Sequence, residues 1–321
     1  MLIGVADGQG RIGWGDCAPL PSSGEAGHAR AFAALERAAV FLRGMELDAA
    51  LARLDEIDGA EARWAAETAL LDLSCRARGV ALRRWRDGAA ADDIAVNAVL
   101  GPLDEACLSR AETARDNNFV FAKIKVGIGG VADEARLLRR LAERAGSLRL
   151  RLDANRAWSE REARAFFAAV ADLPIDGVEE PLAHPTLAGL RRLQGEVPFA
   201  IAVDESLSEL GADRIFSERA VRRLVLKPAR IGGFVATARL AEQASAVGIE
   251  VVITSVVESA IGVGAAAQLA AAIGGAQAHG LATGAWLAED VAPPPLIRSG
   301  RMLLPDGPGL GIVPGASCDQ L

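Results

Sequence analysis

Three stretches of sequence decide the fold of this chain: LRLRLDAN (148–155), IDGVEEP (175–181) and FAIAVDES (199–206). Each is a short apolar run that ends in an acidic residue, and these acids are Asp153, Glu179 and Asp204. They recur at intervals of roughly 25 residues, close to the length of one strand, one helix and two loops. The spacing therefore predicts that the acids lie at the ends of three successive parallel strands.

Lysines occupy the equivalent positions in the strand–helix repeat before these three and in the repeat after them. FAKIKVG (121–127) contains Lys123 and Lys125, and RLVLKPA (223–229) contains Lys227. Alternate residues of a strand point to the same side, so Lys123 and Lys125 share a face. Carboxylates flanked by lysines at one edge of a sheet indicate a metal site with acid/base groups.

The same alternation of apolar runs and amphipathic segments extends from about residue 93 to residue 285. Such runs predict a parallel sheet that is buried on both faces by helices. Eight of them are present, which favours a (β/α)8-type barrel, with an open doubly wound sheet as the alternative. The runs are IAVNAVL (94–100), FAKIKV (121–126), LRLRLD (148–153), IDGVEE (175–180), FAIAVD (199–204), RLVLK (223–227), EVVITS (250–255) and AHGLAT (278–283).

The two ends of the chain differ in texture from this middle part. The N-terminal sequence predicts two short strands around a turn, followed by a helical region. The Pro/Gly-rich C-terminal tail is expected to pack back onto this N-terminal part. We therefore assign residues 1–90 and 287–321 to an α+β capping domain and residues 91–286 to the barrel. The loop around residues 19–27 should approach the ends of the barrel strands.

Composition limits the class of partner. The formal net charge is −7, which disfavours nucleic acid or an anionic membrane as a partner. No apolar run reaches the ~18 residues of a membrane span, and no signal peptide is evident. The four cysteines are scattered without a C-x-x-C motif. We expect a cytoplasmic protein that acts on a small-molecule carboxylate, and a homo-oligomer is compatible with the sequence.

The three acids would repel one another unless a cation neutralised them. Hard oxygen ligands suit Mg²⁺, and the lack of His or Cys in the cluster argues against zinc. Any one of these acids could instead cap the next helix. Glu180 and Glu205 are rival ligands, but neighbouring strand residues face opposite ways, so one of each pair should point at the metal. The paired cations should lower the pKa of at least one lysine.

Other residues could contact a substrate. Arg151 shares a face with Asp153, where a guanidinium could bind a substrate carboxylate or form a salt bridge within the cluster. Lys227 lies four strands from Lys125, on the opposite wall of an eight-stranded ring. TSVVESAIG (254–262) and HGLATG (279–284) supply hydroxyls and loop N–H groups, although such residues are also ordinary in loops.

The ordered motifs resemble the enolase superfamily in its muconate-lactonizing subgroup. The motifs are K-I-K, D-A-N, V-E-E-P, V-D-E-S, L-K-P and S-V-V-E-S-A-I-G, together with GWGDCAPLP near the start. Within the superfamily, LDANRAWSERE, IDGVEEPL, LKPARIGG, ITSVVESAIG and HGLATGAWLAEDV are most similar to the o-succinylbenzoate synthase family. The resemblance implies Mg²⁺, or Mn²⁺ as a substitute, bound by Asp153, Glu179 and Asp204. It implies Lys125 as the general base, Lys227 facing it across an enediolate, and Lys123 beside them. It implies substrate contacts from Arg151, Thr254, Ser255 and Gly280, and a supporting role for Asn155.

The implied reaction is the syn dehydration of a cyclohexadiene carboxylate to o-succinylbenzoate, a carbon–oxygen lyase step of menaquinone biosynthesis. N-succinylamino acid racemase, dipeptide epimerase and muconate cycloisomerase are alternatives in the same superfamily. Dipeptide epimerases share an Asp-x-Asp at the eighth strand, which GLATGAW (280–286) lacks. A Schiff-base aldolase using Lys227 is a rival from another class, but it would leave the carboxylates without a role. A non-catalytic binding barrel would leave all the inward charges unexplained.

Overall fold

The computed structural model describes residues 1–86 and 88–315. The N-terminal region is a β-hairpin followed by helices. Strand β1 (Leu2–Ala6) pairs antiparallel with β2 (Ile12–Asp16). The helices that follow are α1 (Gly24–Leu42), α2 (Leu47–Ala52) and α3 (Ala60–Arg78), with short 3₁₀ turns at Pro21–Ser23, Leu54–Glu56 and Leu82–Arg84.

Strand β2 packs closely on helix α3 because its inward residues are glycines. A Cβ atom on Gly15 would overlap the carbonyl oxygen of Ala65, and one on Gly13 would overlap that of Ala69. Neither glycine has a positive φ, so the reason for glycine is space and not backbone conformation. The hairpin and the helix therefore form one tightly packed unit.

In the described chain, parallel strands form one seven-stranded sheet. The strands are β4 (Ala98–Pro102), β5 (Phe121–Lys125), β6 (Arg149–Asp153), β7 (Ile175–Glu179), β8 (Ala200–Val203), β9 (Arg223–Leu226) and β10 (Glu250–Ile253). They follow one another in the sheet in the same order as in the sequence. All their carboxyl ends therefore meet at one edge of the sheet, and this edge carries the predicted acids.

Helices cover the sheet between successive strands. They are α4 (Glu105–Asp116), α5 (Val131–Ala145), α6 (Glu160–Val170), α7 (Leu187–Glu196), α8 (Ser206–Leu210), α9 (Ala212–Glu218), α10 (Pro228–Ile231), α11 (Phe234–Ala246) and α12 (Ala260–Ile273). Side chains cap several of their starts: Asp104 caps α4, Ser159 and Glu162 form a capping box on α6, and Thr186 caps α7. None of the described helices is long and apolar enough to span a membrane.

The predicted eighth strand is present only as two isolated parallel bridges. His279 bridges to Val96, and Gly280 bridges to Thr254. One reason is that the imidazole Nδ1 of His279 accepts the N–H of Ile253 at 3.0 Å, so a side chain makes a bond that a strand carbonyl would otherwise make. The eight-stranded prediction is thus confirmed for seven strands, and the eighth unit is not a regular strand.

The C-terminal tail contacts both parts of the molecule. Strand β12 (Arg301–Leu303) pairs antiparallel with β11 (Ile297–Arg298) and with β3 (Asp93–Ala95), which precedes the parallel sheet. Further along, the N–H of Leu310 donates to Asp72 of α3 at 2.7 Å. Residues 316–321 of the predicted cap, with Cys318, lie outside the described residues. The boundaries at residues 90 and 287 stay a prediction.

Helix α3 lies against the loops that follow β9 and β10. Glu67 accepts the N–H groups of Phe234 and Val235, and the indole N–H of Trp64 donates to Glu258 at 3.0 Å. Burial, opposed by these hydrogen bonds, raises the pKa of Glu67 to about 7. Burial and the nearby charge of Asp16 raise the pKa of Glu258 to about 8. The N-terminal region therefore contacts the loops at the carboxyl ends of β9 and β10.

We predict that Gly15→Ala destabilises the protein by roughly 3 kcal/mol, because the new methyl group forces β2 away from α3. The free energy of unfolding in urea measures this cost. Gly8→Ala in the same hairpin is the control, since a Cβ there meets no atom within 4 Å. Equal stabilities of the two variants would contradict the packing argument.

Candidate active site

Lys123 joins two carboxylates at the edge of the sheet. Asp153 and Glu179 end neighbouring strands and are register partners. The Lys123 Nζ atom lies 2.9 and 2.8 Å from the two carboxylate oxygens of Glu179 and 3.0 Å from Oδ2 of Asp153. Its strand β5 lies beside β6, so the side chain reaches across two strands. The ammonium group therefore offsets part of the negative charge of these two carboxylates.

A second group of charges follows on the other side. Lys227 donates to Asp204 and, at 3.0 Å, to Oε1 of Glu205. We expected one acid of each neighbouring pair to face away, and this does not hold for Asp204 and Glu205. The reason is that β8 ends at Val203, so both acids lie in a turn, where the alternation of a strand no longer applies.

Glu179 and Glu180 do face opposite ways. Glu180 is buried and takes a left-handed backbone conformation with φ of 47°. Its carboxylate accepts the N–H groups of Asp204 at 2.7 Å and Ser206 at 2.8 Å, and also contacts the Ser206 hydroxyl. Glu180 thus holds the loop that carries Asp204, and Glu179 faces the lysines.

Burial and neighbouring charges shift the pKa values of these groups. Burial raises the pKa of Glu179, and Asp153 adds to the rise while Lys123 opposes it. Burial and Glu179 raise the pKa of Asp204, against the effect of Lys227. Burial lowers the pKa of Lys123, but Glu179 and Asp153 outweigh it, so the pKa is raised and not lowered as expected. The pKa of Lys227 is also raised, because Asp204 and Glu205 outweigh its burial.

Lys125 differs from the other two lysines in its surroundings. It is exposed, and its Nζ donates to Oδ1 of Asn155 at 2.9 Å. The N–H of Asn155 donates in turn to Asp153 at 3.1 Å, and Asn155 has a φ of 46°. The amide of Asn155 therefore links the Lys125 side chain to the carboxylate cluster.

The structure places the side chain of Arg151 in an interior network of charged groups, and its contact with a substrate stays a prediction. Its guanidinium lies in the interior, where it donates to Asp176 at 2.8 Å, to Gln277 at 3.0 Å and to the carbonyl of Ala278. Asp176 also binds Arg223 at 2.8 Å. The salt bridge is therefore with Asp176 at the start of β7, and not within the carboxylate cluster. The ion pairs of Asp176 and Arg223 were not expected from the sequence, where the only signal was that Arg223 occupies an alternate position on the same strand face as Lys227.

The remaining predicted residues lie where the seventh and eighth units meet. The Thr254 hydroxyl donates to the carbonyl of Gly280 at 2.9 Å, and the Ser255 and Thr283 hydroxyls lie 2.9 Å apart. A Cβ on Gly280 would lie 2.7 Å from the Thr254 hydroxyl oxygen, so this close approach requires glycine.

Two cavities adjoin the charges. The first, about 30 Å³, is lined by residues that include Lys123, Glu179, Arg151, Thr254 and Gly280, and it has room for about one or two water molecules. The second, about 320 Å³, is lined by residues that include Leu20, Asp204, Glu205 and Lys227. Only the second of these two has the size of a small-molecule site, and Leu20 brings the N-terminal loop to it.

The donor set fits a hard cation in its chemistry. Within residues 1–86 and 88–315, no three His, Cys, Asp or Glu side chains lie close enough to bind a metal as they stand. Lysine ammonium groups instead contact Asp153, Glu179 and Asp204. Burial raises the pKa of Glu179 and of Asp204 even beside these lysines. Carboxylate oxygens are ligands of the type that Mg²⁺ prefers.

Comparisons with known proteins identify the family of the chain. Residues 106–317 match the protein family described as "Enolase C-terminal domain-like". A chloromuconate cycloisomerase of Pseudomonas putida is 31% identical over 260 residues, covering 78% of this chain and 70% of that protein. Muconate cycloisomerase 1-2 of Acinetobacter lwoffii is 33% identical over 264 residues, covering 78% and 67%. The L-Ala-D/L-Glu epimerase of Bacillus subtilis is 28% identical over 332 residues, covering 98% and 89%.

Solved structures are similar over nearly the whole chain. The muconate lactonizing enzyme from Pseudomonas putida has a TM-score of 0.84 at 25% identity, covering 98% of this chain and 91% of that chain. The muconate lactonizing enzyme from Klebsiella pneumoniae has a TM-score of 0.86 at 25% identity, with the same coverage. The fold is therefore shared with these proteins.

His279 provides a pH-dependent test of how the eighth unit is held. Burial, with the nearby charge of Arg151, lowers its pKa to about 4 from 6.5. The unfolded chain takes up a proton below pH 6.5, whereas the folded protein does not until about pH 4. The stability that neutral His279 contributes is therefore complete above pH 6.5 and lost as the pH falls to 4.

We predict that wild type loses roughly 3 kcal/mol more stability than His279→Asn between pH 7 and pH 4. The Asn side chain supplies an acceptor for the N–H of Ile253 but does not titrate. Urea unfolding at a series of pH values measures the difference, and the carboxylates common to both proteins cancel. Parallel pH profiles would show that His279 is not buried in the neutral form.

Proposed function

Since the chain belongs to the enolase C-terminal domain-like family of enzymes, we propose that it transfers a proton at the carbon next to a substrate carboxylate. The negative charge that develops would lie over the edge of the sheet. Lys125 would act on one side of the substrate and Lys227 on the other.

The distribution of lysine carries this proposal. The chain has three lysines, Lys123, Lys125 and Lys227, and its other Lys-or-Arg residues are all arginine. All three lysines lie at the carboxylate edge, on β5 or directly after β9. Arginine stays protonated in proteins, whereas lysine can give up its proton and act as a base. Of the two types of cationic side chain, the one that can give up its proton is thus confined to this edge.

The sheet order sets the lysines on either side of the acids. Strands β6, β7 and β8, which precede Asp153, Glu179 and Asp204 or contain them, lie between β5 and β9. A small carboxylate held over the acids would therefore have an amine on each side. This geometry suits abstraction or return of a proton from one face, with charge stabilisation from the other.

Members of this superfamily typically use Mg²⁺, and we propose that Asp153, Glu179 and Asp204 hold it here, with Mn²⁺ as a substitute. When bound, the cation would polarise the substrate carboxylate and stabilise negative charge on it. Lys123 already lies between two of these acids, so its role is to neutralise and position them. Asn155 orients the Lys125 amine toward the same space.

For the overall reaction, the first candidate is cycloisomerisation of a muconate-type dicarboxylate. The similar proteins that carry this name support it, both by sequence identity and by fold. The epimerase of Bacillus subtilis supports a dipeptide substrate less well, because GLATGAW (280–286) lacks the expected Asp-x-Asp.

The second candidate is dehydration of a cyclohexadiene carboxylate to o-succinylbenzoate. The motif segments favour it, in particular HGLATGAWLAEDV (279–291) at the eighth unit. In that reaction Lys125 would remove the α-proton and return it to the leaving hydroxyl, which departs as water. Lys227 would stabilise charge without moving a proton.

A substrate panel in D₂O with Mg²⁺ tests the proposal. We expect deuterium at the carbon next to the carboxylate, or product, with at least one of a cis,cis-muconate, the cyclohexadiene precursor, a dipeptide and N-succinyl amino acids. Formation of a lactone would support cycloisomerisation. Formation of o-succinylbenzoate would support dehydration instead. Turnover that survives chelation, or a borohydride-trapped adduct on Lys227, would overturn the proposal in favour of an aldolase.

We predict that Lys125→Ala lowers turnover by about 10²- to 10⁴-fold, because it removes the general base. Deuterium incorporation measured by NMR should fall in parallel. Lys227→Ala should lower product formation, and with racemisable substrates it should abolish exchange for one enantiomer only. A Lys125→Ala enzyme with the wild-type rate would exclude Lys125 as the base.

A further inference from the structure

Glu134 is a buried carboxylate near Lys125 that the proposed reaction does not use. It lies in the first turn of α5, directly after the loop that follows β5. Its Oε2 accepts the N–H of Gly127 at 2.8 Å, and its Oε1 accepts those of Ile128 at 2.9 Å and Gly129 at 3.0 Å. One side chain thus satisfies three consecutive backbone N–H groups.

The same loop is also packed from the opposite side. Gly127 has a φ of 78°, and a Cβ there would overlap the side chain of Ala157 and lie 3.2 Å from the carbonyl oxygen of Ala154. These residues flank Asn155, whose side chain accepts from Lys125. The loop is therefore clamped between Glu134 and the segment that orients the Lys125 amine.

The side chain of Lys125 has little other support. It is exposed, two residues before Gly127, at the last position of β5. The backbone N–H of Val126 donates to the carbonyl oxygen of Asp153 at 2.9 Å, which fixes the strand but not the loop beyond it. The direction of the Lys125 side chain therefore depends on how firmly residues 127–129 are held.

We infer that Glu134 is a positioning residue for Lys125: it fixes the loop 127–129 and thereby aligns the amine with the substrate. The inference rests on the proposed function for the role of Lys125. The negative charge of Glu134 does not by itself explain this role. The three N–H groups are shared between the two carboxylate oxygens, so both oxygens are needed. A small displacement of a reacting group can cost about 100-fold in rate.

The chain offers a matched control for this inference. Glu162 also lies in the first turn of a helix, α6, and accepts the backbone N–H of Ser159 at 2.9 Å. It is exposed and belongs to the next unit of the fold. Glu134→Gln and Glu162→Gln therefore make the same chemical change at the start of a helix. Only Glu134 contacts the loop that follows Lys125.

We predict that Glu134→Gln lowers kcat about 10- to 100-fold while KM and Mn²⁺ binding stay at wild-type values. Glu162→Gln should leave kcat unchanged. Amide hydrogen exchange at residues 127–129 should become faster only in Glu134→Gln. In Glu134→Gln, Lys125 should also react faster with an amine-reactive ester, relative to Lys227, than it does in wild type. Peptide mass spectrometry distinguishes the two lysines because the chain has only three.

Glu134→Asp, which keeps the charge but shortens the reach, should give the same changes to a smaller degree and serves if the Gln variant does not fold. Wild-type kcat with wild-type amide exchange in these variants would overturn the inference. A wild-type protein that exchanges no proton of any carboxylate would overturn the proposed function instead, while amide exchange and labelling would still test Glu134.

Discussion

The candidate site depends on the charge balance of three acidic side chains that lie along one edge of the sheet. Asp153, Glu179 and Asp204 end or follow neighbouring strands, where Asp153 is buried and the other two are partly buried. Lys123 and Lys227 supply the opposing charge in the structure as it stands. Burial still raises the pKa of Glu179 and of Asp204 in the presence of these lysines, and a divalent cation, as proposed above, would favour their ionised forms.

A second set of acids holds the backbone around these charges. Glu180 binds the loop of Asp204, Glu134 binds the loop after Lys125, and Glu67 binds the start of α11. Each uses a buried carboxylate to satisfy backbone N–H groups that would otherwise lack partners. Acidic residues thus form the proposed catalytic site and also hold the loops around it. The direction of the side chain distinguishes the two roles.

Much of this could be predicted from the sequence because it depends on local periods. The spacing of Asp153, Glu179 and Asp204 gave the strand order, and the K-x-K pattern gave the shared face of Lys123 and Lys125. The errors lie where a strand ends or where distant residues pair. Glu205 reaches Lys227 because β8 stops one residue before Asp204, and Arg151 turns inward because Asp176 lies on the next strand. Neither the end of a strand nor an interior ion pair is visible in a two-residue period.

Whether the three carboxylates form one site for a divalent cation can be measured by titrating the protein with Mn²⁺ and following the loss of the free-ion signal in electron paramagnetic resonance. We expect one tight equivalent of Mn²⁺ in wild type, competition by Mg²⁺, and loss of that equivalent in Glu179→Gln but not in Glu162→Gln. Binding that is absent in wild type, or that survives Glu179→Gln unchanged, would contradict this expectation.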